Sequence, residues 1–121
     1  MDNEPFGWSL ALDLYGCAED RLVNSSQLAA YVTQLCSDVL HMRRYGDPII
    51  EWFGEANVKT AGYSLVQLIE TSSVVGHFSP SRRSAHLDVF SCSEFSVGNV
   101  TDFSREWFRA TSNASSYVVR R

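Results

Sequence analysis

Residues 62–92 read GYSLVQLIETSSVVGHFSPSRRSAHLDVFSC. Three runs of strand length, 63–71, 74–78 and 85–92, are separated by a polar break at Ser72-Ser73 and by the loop 79–84. In the last run apolar and polar residues alternate, with Ala85, Leu87 and Val89 on one side and His86, Asp88, Phe90 and Cys92 on the other. Such period-2 spacing belongs to a strand with one buried face. Breaks this short suit antiparallel neighbours, because parallel strands need a long crossover.

The rest of the chain supplies the partners for these strands. Residues 8–15 (WSLALDLY) alternate as a strand and Gly16 ends it. Leu28, Val32, Leu35, Cys36, Val39 and Leu40 recur at helical spacing, so an amphipathic helix is expected from a cap at Ser25 or Ser26 to about Met42. A turn at 43–48, a short strand at 49–53 and a loop at 54–62 follow. Val100, Phe103, Trp107 and Phe108 predict a second helix over 98–110, and 116–120 a last strand. The resulting order, β-α-β-β-β-β-α-β, is that of an α+β fold. It predicts a two-layer α/β sandwich, mainly an antiparallel sheet with both helices on one face, in a single domain over 1–121.

Composition narrows the function classes. A net charge of −4 gives no basic footprint for nucleic acid. No apolar run is long enough for a bilayer span, and the acidic start MDNEPFG lacks a signal-peptide pattern, so a cytoplasmic protein is expected. Cys17, Cys36 and Cys92 are odd in number and widely spaced. They make no zinc pattern, so no metal is expected and the thiols are read as reduced. Cys36 falls on the apolar stripe of the first helix and reads as core.

The residues able to carry chemistry cluster in the central stretch: Ser64, Thr71, Ser72, Ser73, His77 and Cys92. The break at 71–73 reads either as a turn with local hydroxyl hydrogen bonds or as a strained peptide bond open to attack by a serine hydroxyl. In the second case an ester forms and β-elimination leaves a pyruvoyl group. A Cys92, His77 and Asp88 triad can be drawn on paper, but no hydrolase-type motif accompanies it.

The spacing of these residues resembles the short prokaryotic type of S-adenosylmethionine decarboxylase, from LDLYGC at 12–17 to DVFSC at 88–92. With Ser72 taken as the precursor of the family's pyruvoyl cofactor, the processing histidine falls on His77 and the catalytic cysteine on Cys92. The processing serine falls on Ser64, with Gly62 shortly before it. The resemblance implies cleavage between Thr71 and Ser72, a Schiff base with substrate, and a role in polyamine (spermidine) biosynthesis. The chain also departs from the pattern. Thr71 and Ser73 replace the glutamate and histidine around the cleaved bond, and Ser9 replaces a histidine after the first glycine. Val58 stands where an adenine-stacking aromatic belongs, and Ser81 where a ribose-binding glutamate belongs. These losses at the substrate-binding positions make ornithine or arginine competitors to S-adenosylmethionine, and a non-cleaving, non-enzymatic binding homologue the rival of another class.

On one straight strand Ser64 and Ser72 would lie roughly 26 Å apart. They are therefore expected to serve one site only across a homodimer, Ser72 and Cys92 from one subunit meeting Ser64 and His77 from the other.

Overall fold

The computed structural model describes residues 4–54 and 56–121, so the first three residues of the acidic start and Glu55 of the 54–62 loop lie outside the described residues. The strands are β1 Gly7–Tyr15, β2 Ile49–Phe53, β3 Gly62–Ile69, β4 Ser72–Ser79, β5 Ser84–Ser91 and β6 Ser112–Arg120. The helices are α1 Ser25–Gln34 and α2 Val97–Phe108. The strands form one sheet in the order β2-β3-β4-β5-β1-β6, antiparallel at every joint.

One face of the sheet is apolar because the alternation makes it so. Leu10, Leu12 and Leu14 of β1, Leu65 of β3, Val74 and Phe78 of β4, and Leu87 and Val89 of β5 are all buried. They share a core with Leu28, Tyr31 and Val32 of α1 and Val100 and Phe108 of α2. The two-layer sandwich expected from the pattern is therefore the observed fold. The helices are tied to each other inside that layer: Tyr31 Oη and Ser104 Oγ, both fully buried, lie 2.7 Å apart. Among the described residues, no helix is long and apolar enough to cross a membrane.

Element ends differ from expectation for identifiable reasons. The cap of α1 is Asn24, whose Oδ1 accepts the Gln27 N–H at 3.0 Å, rather than Ser25 or Ser26. The helix does not run unbroken to Met42. It passes into a π-helical turn over Leu35–Val39, where the Leu40 N–H reaches back to the Leu35 carbonyl. β6 begins four residues earlier than expected, at Ser112, because it pairs with β1 along its whole length.

The largest correction concerns the centre. The chain reverses at Glu70–Thr71, not at Ser72-Ser73, and Ile69 pairs directly with Ser72. Ser72 and Ser73 are ladder residues of β4. Ser64 and Ser72 consequently stand on adjacent strands rather than along one, and the straight-strand separation does not apply. The reversal sets Thr71 at φ 59°, a left-handed conformation that a β-branched residue adopts only under strain.

Gly62 has a packing reason to lack a side chain. A Cβ there would run into the carbonyl of Phe78 on the neighbouring strand, backbone that cannot give way without disturbing the ladder. Gly62→Ala should therefore cost about 2–3 kcal/mol, read as a lower urea midpoint with little change in slope. A midpoint equal to the parent's would show that β3 and β4 can part there at no cost.

Candidate active site

The sheet face opposite the helices carries the polar residues. Strand register places Glu51, Ser64, His77, His86 and Asp13 side by side, one from each of β2, β3, β4, β5 and β1. Ser64 Oγ lies 3.0 Å from His77 Nδ1. The hydroxyl can donate to that nitrogen, leaving Nε2 on the outward side of the ring. On the next strand, β5, His86 Nδ1 meets Asp13 Oδ1 of β1 at 2.7 Å, and Ser84 Oγ lies 2.9 Å from His86 Nε2. Ser64 and His77 are thus brought together as the offsets suggested. The Asp13, His86 and Ser84 chain was not foreseen, because it depends on β5 lying beside β1.

Ser72 stands elsewhere. It is five residues from His77 along β4, about 17 Å, and its side chain belongs to the opposite face. Ser72 Oγ donates to Ser91 Oγ at 3.3 Å and accepts the Cys92 N–H at 3.3 Å. Ser91, which sequence reasoning passed over, is fully buried. Its own hydroxyl donates to the Ser93 carbonyl at 2.6 Å and accepts the Ser93 N–H at 2.9 Å. With that proton committed, Ser91 Oγ is an acceptor for Ser72, and the two contacts fix the orientation of the Ser72 hydroxyl. Thr71 Oγ1 donates to the Glu70 carbonyl at 2.6 Å.

One chain therefore presents two separate clusters, Ser64 with His77 and Ser72 with Cys92. The Cys92, His77 and Asp88 arrangement is not assembled: His77 is opposite His86, Asp88 is opposite Val75 and Ala11, and Cys92 follows the end of β5.

The first cluster opens into a cleft of about 420 Å³ whose walls include Phe53, Lys59, Ser64, His77, Arg82 and His86. Val58 and Ser81 are brought together at its rim, where Ser81 Oγ donates to the Val58 carbonyl at 2.9 Å. Beside them Ser79 Oγ donates to the Lys59 carbonyl at 3.0 Å. Ser81 thus holds the 58–59 backbone instead of offering a carboxylate, and the Val58 side chain is exposed. Among the described residues, no group of three or more histidine, cysteine, aspartate or glutamate side chains is placed to hold a metal ion.

The thiols differ sharply. Cys17 and Cys36 are buried, and burial pushes each up from an ordinary 9.0 to about 11, despite a hydrogen bond at Cys17 from Ala85 and the Arg44 charge near Cys36. Cys92 is half-buried. Iodoacetamide at pH 8 should therefore label one thiol of the folded chain, Cys92, as read by peptide mass mapping. The raised values also set an alkaline limit. The folded state holds these two protons more tightly than the unfolded chain, so this stability is complete below about pH 9 and is lost as pH rises to about 11. Urea midpoints constant from pH 8 to 11 would contradict this.

Comparison with known proteins adds three findings. No curated protein matches this chain in sequence. The adenosylmethionine decarboxylase from Aquifex aeolicus VF5 superposes with a TM-score of 0.80 at 16% identity, over 97% of this chain and 92% of that one, which establishes a common fold. A family model described as S-adenosylmethionine decarboxylase matches residues 8–121, from β1 to the C-terminal arginine, and on that extent the chain belongs to the S-adenosylmethionine decarboxylase family.

Proposed function

We propose that this chain is a self-processing, pyruvoyl-dependent decarboxylase acting as a homodimer. The observation that carries the reading is the Thr71–Ser72 bond. Its carbonyl side is a β-branched residue at φ 59°, and its serine hydroxyl is oriented by Ser91 and by the Cys92 N–H. Strain at the bond and a fixed nucleophile are what an N-to-O acyl shift requires.

In this reading Ser72 Oγ attacks the Thr71 carbonyl carbon. The C–N bond breaks, a C–O ester forms, and the hydroxyl proton ends on the freed amine. Ser64 steadies the oxyanion while it exists. His77, with Nδ1 facing Ser64, removes the Ser72 α-proton, and the Thr71 carboxylate departs. Water then replaces the nitrogen with release of ammonia. Ser72 is the residue that becomes the pyruvoyl group, whose chemistry is to accept electrons as carbon dioxide leaves a bound amine. Cys92 Sγ holds the proton that returns to the substrate α-carbon.

The two clusters lie too far apart to act within one chain, and this supports the homodimer. In this reading the end of the sheet that carries Thr71, Ser72 and Cys92 in one subunit meets Ser64 and His77 of the other. Ile49, Phe53, Leu68 and Val118, exposed around the polar row, offer apolar surface for a second copy to cover. S-adenosylmethionine is the family's substrate, and the family's reaction belongs to polyamine biosynthesis. Without an aromatic at 58 and an acid at 81, the cleft also suits a smaller amino acid.

Denatured intact mass should show two fragments, 1–71 and 72–121, the second blocked at its N-terminus, and Ser72→Ala should leave one uncleaved chain. A single 13.6 kDa species stable over days in the parent would overturn the decarboxylase in favour of a non-cleaving binding homologue. Mixed expression tests the shared site. Ser72→Ala and His77→Ala chains should each fail to mature alone, whereas a dimer of the two retains one intact site and should cleave its Thr71–Ser72 bond. Absence of cleavage in that mixture would rule out sharing across subunits.

A further inference from the structure

The cleft beside Ser64 and His77 has a charge that the offsets do not suggest. Lys59 and Arg82 both line it, and among the described residues no carboxylate does. Among the described residues neither cation pairs with an acid, whereas the adjacent Arg83 meets Glu19 at 3.7 Å. The chain as a whole carries −4, so two uncompensated cations at one concave site run against its overall field. The fold positions them. Ser79 and Ser81 donate to the carbonyls of Lys59 and Val58, which fixes the loop bearing Lys59 over the cleft, and Arg82 follows Ser81 directly. His86 is held by Asp13 and Ser84 on the same wall, so its ring is fixed in place.

We infer that this cleft selects an amino acid whose side chain ends in an oxyanion, either a carboxylate or a phosphate ester. The inference deepens the decarboxylase reading and rests on it for the word substrate, though not for the binding itself. The cations are unsuited to the carboxylate that is lost: a charge holding that group stabilises the ground state more than the transition state and slows the reaction. They suit a second anionic group, which stays charged throughout and serves as an anchor. A guanidinium can grip such a group with two parallel hydrogen bonds while the lysine adds a point charge. The same two cations repel the ammonium of ornithine and the guanidinium of arginine.

The test is calorimetric titration of the full-length Ser72→Ala chain, which cannot form the cofactor, so the readout does not depend on maturation. The ligands are glutamate, O-phosphoserine, ornithine and S-adenosylmethionine. Glutamate or O-phosphoserine should bind at least tenfold more tightly than ornithine, and the tighter of the two tells carboxylate from phosphate. Lys59→Gln with Arg82→Gln should weaken that binding at least tenfold, and so should raising the salt from 0.05 M to 0.5 M. Tighter binding of ornithine or S-adenosylmethionine than of both acids would overturn the inference, as would an unchanged affinity in the double variant. The intact mass of the parent separates this from the function above. An uncleaved parent whose Ser72→Ala form still binds glutamate removes the decarboxylase and leaves the anion site. A cleaved parent that prefers ornithine removes the anion site and leaves the decarboxylase.

Discussion

The two-residue reversal at Glu70–Thr71 sets the register of β3 on β4, and with it the position of every polar side chain at the centre of the sheet. Side chains alternate between faces with a period of two, so a slip of one residue would exchange them. Ser64 would lose His77, and Leu65 would leave the core for water. The left-handed Thr71 is the local cost of holding this register, and the buried residues behind it, Leu65, Ile69 and Val74, hold it in place. Packing on the helix side thus stabilises both the strain at the 71–72 bond and the contact at the other end of the hairpin.

That dependence explains why the polar groups divide as they do. Polar side chains buried on the helix-side face are paired: Ser72 and Ser91 satisfy each other and the backbone of 92 and 93, and Gln67 donates to the Gly46 and Leu68 carbonyls. The open face tolerates a whole row of them. Ser64, His77, His86 and Asp13 stand there among apolar neighbours, and only two of the contacts along the row are hydrogen bonds between adjacent strands. A face that mixes exposed Ile49, Phe53 and Leu68 with fixed polar groups is suited to be covered by something that meets both.

Much of this was legible in the sequence, for a physical reason. Alternation in 8–15 and 85–92 and the helical spacing in 28–40 report burial directly, so the layers and their order could be read. Turn chemistry was less direct. The run Thr71-Ser72-Ser73 is polar, and polarity suggested a break there, but backbone hydrogen bonding is indifferent to hydroxyl side chains and carries Ser72 and Ser73 as strand. The start of β6 was hidden likewise, since Ser112 to Ser116 shows no apolar alternation and is defined only by its pairing with β1. Contacts between strands distant in sequence were not legible at all. Asp13 with His86, and Ser81 with the Val58 carbonyl, depend on strand order and loop path, which periodicity does not encode.

The sheet ends on one side at β2, and this short strand bears on behaviour at high concentration. Its sequence IIEWF exposes Ile49, Trp52 and Phe53, and its outer edge offers unpaired backbone groups. Such an edge is a template on which other chains can stack into fibres. Here the strand is limited to five residues, Pro48 precedes it, and Gly54 at φ 85° turns the chain away after it. Glu51 places a negative charge at its midpoint, so that copies lying side by side would repel. Resistance to aggregation at this edge therefore rests on a proline, a glycine and one carboxylate.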